Sequence, residues 1–163
     1  MSTTIVNFQK FYVTKEGLVK VQKEWERLRE FKHRKTMGET PSLLHSEEAN
    51  PEYLSFQEDM TLLEARLVEY ENILSNIELI RPPGKEGRDM VHLGAMVTLD
   101  MEGTIEEFMI VGTIEADPMQ KKISNESPIG KALLGARVGD TVVPNTSMVS
   151  HRCKVLKISY HEK

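Results

Sequence analysis

Phe56-Gln57-Glu58-Asp59-Met60-Thr61-Leu62-Leu63-Glu64-Ala65-Arg66-Leu67-Val68-Glu69-Tyr70-Glu71-Asn72-Ile73-Leu74-Ser75-Asn76-Ile77 carries one apolar seam. Phe56, Met60, Leu63, Leu67, Tyr70, Leu74 and Ile77 succeed one another at intervals of 4, 3, 4, 3, 4 and 3 residues. That is a heptad a/d pattern, the mark of a helix packed lengthwise on a partner helix. Glu58, Asp59, Glu64, Arg66, Glu69 and Glu71 fall between the seam positions and suit the solvated faces. A partner lies upstream, where Leu18, Val21, Trp25, Leu28 and then Phe31 or Lys32 continue the same spacing. The two segments predict an antiparallel helical hairpin.

Local punctuation places its ends. Thr14 is a good N-cap for a first helix from Lys15 to about Lys35, and Gly38 and Pro41 disturb the helix beyond that point. Asn50 as N-cap, Pro51 at the first helical position and Glu52 near the positive dipole end open the second helix. Arg81-Pro82-Pro83-Gly84 stops it. From Pro51 to Ile80 it would measure roughly 45 Å at ~1.5 Å per residue, longer than a small domain is wide.

From Val91 the period changes to 2. Met96–Leu99 and Thr104–Val111 read as strands joined at Glu102-Gly103, with further strands at Asp140–Val143 and Cys153–Tyr160. Between them Ser127, Pro128 and Gly135 punctuate one short helix as N-cap, first position and C-terminal cap. The expected fold is α+β: a helical coiled-coil hairpin over 1–81 with its tip near 38–51, a linker over 82–90, and a small sheet domain over 91–163.

At 163 residues, with 39% hydrophobic and 28% charged residues and a net charge of -4, the chain has an ordinary soluble composition and no global basic field. Cys153 is the one cysteine, which excludes an intramolecular disulfide and a cysteine metal cluster and fits a reducing compartment. No apolar run approaches a membrane span, and the expectation is a cytoplasmic protein. No P-loop, nucleophile elbow, HExxH or EF-hand loop is present. Lys32-His33-Arg34-Lys35 is basic and the stretch holding Glu47, Glu48 and Glu52 is acidic. Both read first as solvated surface. Carboxylates at a hairpin tip also suit a hard cation such as Mg²⁺, whose oxygen shell a partner often completes.

Several stretches resemble the bacterial Gre-type transcript-cleavage factors, GreA and GreB. Thr14-Lys15-Glu16-Gly17-Leu18 is similar to their opening, and Asn50-Pro51-Glu52-Tyr53 to the Asn-Ala-Glu-Tyr beyond their tip. Ile123-Ser124-Asn125-Glu126-Ser127-Pro128-Ile129-Gly130-Lys131-Ala132-Leu133-Leu134-Gly135 resembles their C-terminal signature, with Val138-Gly139-Asp140-Thr141-Val142 after it. The linker and Leu93-Gly94-Ala95-Met96-Val97 match as well.

The resemblance implies a coiled coil on an FKBP-like domain. That domain holds the rim of the RNA polymerase secondary channel, and the coiled-coil tip reaches the active site. There, tip carboxylates share a Mg²⁺ with the polymerase, which hydrolyses the 3′ end of backtracked RNA by two-metal chemistry. The factor would be no enzyme, would hold no cofactor alone and would act as a monomer. Ser124, Glu126, Ser127 and Pro128 are then the polymerase-binding candidates, and Lys32, Arg34 and Lys35 a basic arm toward RNA phosphates.

At the tip the chain departs from the family. The positions of the family's Asp-x-x-Glu are Ser46 and Ala49 here. The remaining tip candidates are Glu47, Glu48, Asn50, Glu52 and Tyr53, with Glu47 and Glu48 the metal pair. Neighbours on a helix diverge by roughly 100°, so Glu47 and Glu48 converge on one ion only if the tip is a loop. An alternative keeps the binding mode and makes the chain a channel-occupying regulator without cleavage. A peptidyl-prolyl isomerase is a further alternative, disfavoured because Phe108 and Tyr160 are the only aromatic residues after position 91.

Overall fold

Seven strands and three helices, joined by short 3-10 turns, form the described part of the chain. The computed structural model describes residues 9–38, 51–145 and 152–161. It is an α+β arrangement that divides into two compact units. One contains the described residues up to Gly17 and from Ile77 onward, and the other is Leu18–Asn76.

In the helical unit, α1 (Lys15–Gly38) and α2 (Pro51–Ser75) run antiparallel, because Lys32 pairs with Glu64 and Lys35, further along α1, pairs with Asp59 earlier on α2. Val21 on α1 and Leu63, Leu67 and Ile73 on α2 are buried. Leu63 and Leu67 lie on the expected seam; Leu74 is only half-buried and Ile73 is off that seam. Of the two residues that could continue the α1 seam, Phe31 is 44% exposed and Lys32 is half-buried.

Two extents differ from expectation. The second helix ends at Ser75, not Ile80. Asn76 folds back on it, its side-chain amide donating to the Asn72 carbonyl at 2.8 Å. Ile77–Leu79 then becomes a strand, β2, in parallel register with β1 (Phe11–Val13), Phe11 opposite Ile77 and Val13 opposite Leu79. The Ile80 N–H extends this ladder to the Val13 carbonyl at 2.7 Å. The seam period included Ile77, but a partner strand some sixty residues upstream overrides it. This pairing also sets the unit boundary: residues 77–81, expected with the hairpin, associate with the sheet unit.

The main sheet has the order β5-β4-β3-β7-β6. It comprises β3 (Met96–Met101), β4 (Thr104–Val111), β5 (Lys122–Ser124), β6 (Thr141–Val142) and β7 (Cys153–Ser159). β3 and β4 close at Glu102 (φ 55°) and Gly103 (φ 96°), a two-residue turn with both residues left-handed, as a primed hairpin turn requires. α3 (Pro128–Leu133) lies across one face. Val91, Val97, Leu99, Ile110, Leu133 and Val155 are fully buried and form the core between helix and sheet.

Candidate functional site

The signature loop is a turn braced by its own serines. β5 delivers the chain to Ser124, and the Asn125 N–H donates to the Val111 carbonyl at 2.9 Å, which anchors the turn to β4. The Ser124 carbonyl accepts from the Ser127 N–H at 3.1 Å and from the Ser127 hydroxyl at 2.7 Å. Ser127 Oγ in turn accepts from the Gly130 N–H at 3.0 Å, which is the N-cap bond of α3. Ser124 Oγ accepts from the Glu126 N–H at 3.1 Å. Gly130 permits the closeness: a Cβ there would lie 2.0 Å from the Ser124 carbonyl oxygen. With the two serines turned inward, Glu126 and Pro128 are left exposed. The arrangement presents one carboxylate and one rigid ring on a preorganised turn.

The basic arm is engaged in part. Lys32 Nζ lies 2.9 Å from Glu64 and Lys35 Nζ 2.8 Å from Asp59, so both spend their charge between the two helices. Arg34 is exposed beside Arg29 and His33. Of the tip candidates, Ser46, Glu47, Glu48 and Asn50 lie outside the described residues. Glu52 and Tyr53 sit in the first turn of α2, Glu52 exposed and Tyr53 half-buried. Among the described residues, no group of three or more His, Cys, Asp or Glu is placed to hold a metal ion. Cys153 is buried in β7, and that burial pushes its thiol pKa up. No helix among the described residues is long and apolar enough to cross a membrane.

One cluster was not anticipated from the sequence. Glu115, whose side chain is 4% exposed, accepts from the Thr14 N–H at 2.6 Å and from the Thr14 hydroxyl at 2.7 Å. Lys122 Nζ stands 3.7 Å away. Thr14 Oγ1 meanwhile accepts from the Gly17 N–H at 3.1 Å and so caps α1 as expected. A capping box would place Glu or Gln at the third helical position to receive the N-cap N–H. Glycine stands there instead, and a Cβ on it would fall 2.1 Å from Glu115 Cδ. The missing acid at Gly17 was the available signal, although nothing local names its replacement.

Comparison with known proteins gives one consistent family. Residues 85–160 match the family model described as "Transcription elongation factor, GreA/GreB, C-term". The chain is 36% identical over 152 residues to a protein named transcription elongation factor GreA from Thermomicrobium roseum, covering 88% of this chain and 95% of that protein. It is 38% identical over 154 residues to the GreA of Bacillus subtilis, covering 91% and 96%. Among solved structures it is similar to GreA factor homolog 1 (Gfh1) of Thermus thermophilus, at 27% identity and a TM-score of 0.40, covering 93% of this chain and 99% of that one.

Proposed function

We propose, from the premise that the chain belongs to the GreA/GreB family of transcription elongation factors, that it is an elongation factor of bacterial RNA polymerase acting through the secondary channel. The observation that carries this reading is that the relatives named GreA match the chain across both compact units and not the sheet unit alone.

In this reading the sheet unit is the FKBP-like anchor. Its Ser124–Pro128 turn docks on the channel rim through Glu126 and Pro128, while Ser124 and Ser127 hold the turn in shape. The helical unit serves as a coiled coil that carries the tip toward the polymerase active site. There Glu47 and Glu48, in place of the family's Asp and Glu, supply oxygen ligands to a Mg²⁺ shared with the polymerase. A Mg²⁺ held there would supply Lewis-acid activation of the water that hydrolyses backtracked RNA at its 3′ end in the polymerase active site, and the chain would contribute ligands without being an enzyme. Arg34 is the member of the basic arm best placed to approach an RNA phosphate, since Lys32 and Lys35 are paired with α2. The factor works as a cytoplasmic monomer.

Fluorescence anisotropy with purified bacterial core polymerase tests the anchor. Saturable binding that GreA displaces, weakened in a Glu126→Arg variant, is the expected result. Absence of binding to the polymerase contradicts the reading.

A further inference from the structure

The sheet's second face carries an apolar cavity that the proposed function does not use. On the core face, Val97, Leu99, Ile110 and Val155 pack with α3. Residues of the opposite parity are mostly polar: Thr98 faces Glu107 and Lys157 across the ladder, and Asp100 faces Lys154, with Ile105 as the far-end exception. At the other end the pattern switches to methionine. Met96 and Met109 are register partners, and neither belongs to the core cluster. They form one side of a cavity of about 780 Å³ whose other walls are Leu79, Ile80 and Pro82. Gly94 shapes this wall: it holds φ +85°, and a Cβ there would meet Ile80 Cγ2 at 2.8 Å.

The rim is cationic. Lys15, Arg81 and Lys122 line the cavity against the single carboxylate of Glu16. Lys122 shares its charge with Glu115, whereas Arg81 takes part in none of the ion pairs among the described residues. Arg81 comes directly after Ile80, whose N–H is tied to Val13, so its backbone is anchored at the rim and its side chain is within reach of the cavity it lines. A cavity of this size is in the range that encloses small organic ligands. Thioether side chains adapt to irregular apolar shapes without demanding a specific partner, and a guanidinium receives a carboxylate through two parallel hydrogen bonds.

We propose that this cavity binds a small amphiphilic carboxylate, its apolar tail against Met96 and Met109 and its head on Arg81. The proposal is independent of polymerase binding.

The test titrates decanoate, below its micelle concentration, into the full chain carrying ¹³C-methyl methionine. Met119, 93% exposed, serves as the internal control. The expected result is a saturable shift confined to the Met96 and Met109 methyls, an affinity about tenfold weaker in Arg81→Glu, and no such shift with decyltrimethylammonium. Arg81 is exposed, so this variant does not disturb the core. No shift, shifts that include Met119, equal response to the cationic amphiphile, or an unchanged affinity in Arg81→Glu would each overturn the proposal.

Discussion

Glu115 caps α1 from a distance of 101 residues, accepting hydrogen bonds from both the N–H and the hydroxyl of Thr14. The carboxylate that a helix N-terminus ordinarily draws from its own first turn comes here from the 3-10 turn Thr113–Glu115. Gly17 is the complementary part, because any side chain at that position would occupy the space of the Glu115 carboxyl.

That pairing predicts a sign reversal. Elsewhere in a helix, Gly→Ala gains about 1 kcal/mol. Gly17→Ala must instead displace Glu115 and forfeit about one hydrogen bond to a charged group, worth roughly 1.5–3 kcal/mol, so net of that gain it should destabilise the chain by about 1–2 kcal/mol. In a Glu115→Ala background the same substitution should become neutral or stabilising. Urea unfolding of the four chains of this double-mutant cycle measures the coupling; additivity of the two changes would refute the pairing.

The ion pairs between α1 and α2 should matter little singly. Lys35 and Asp59 have side chains 21% and 58% exposed. Reversal by Asp59→Lys should therefore cost under ~1 kcal/mol, more at low salt than at high salt. Adding Lys35→Asp should restore the loss. Thermal unfolding at two ionic strengths checks both points, and a salt-independent loss would mean that packing and not charge is affected.

Tyr160 gives a pH dependence. Its hydroxyl donates to the Met90 carbonyl and accepts from the His92 N–H at 2.9 Å, and burial raises its pKa above the ordinary value near 10. The folded state therefore holds the phenolic proton more tightly than the unfolded state. The contribution is complete below that ordinary value and fades as pH rises through the folded one. Tyr160→Phe should be less stable than the parent by about 1–2 kcal/mol near neutrality, with the gap narrowing above pH ~10. A gap that stays constant through the alkaline range would contradict this.

How much was legible in the sequence depends on the range of the forces involved. Caps and turns are local, so Thr14, Ser127-Pro128 and Glu102-Gly103 could be read directly and stand where expected. Strands with a sequence-adjacent partner, β3 and β4, were equally plain. The three-residue strands β1, β2 and β5 were not, because three residues carry too little period and two of them exist only through a distant partner. The site divides the same way. The serine-braced turn was visible as a helix start, whereas the engagement of Lys32 and Lys35 and the remote cap by Glu115 depend on tertiary neighbours.

Transcript cleavage in purified, backtracked polymerase complexes at limiting Mg²⁺ tests the central claim most directly. Addition of the chain should shorten the RNA from its 3′ end rapidly, and the Glu47→Ala/Glu48→Ala double variant should lose this effect while still binding polymerase. No shortening, with displacement of GreA retained, would contradict the cleavage role and leave a channel-occupying regulator; no shortening and no displacement would contradict action on the polymerase altogether.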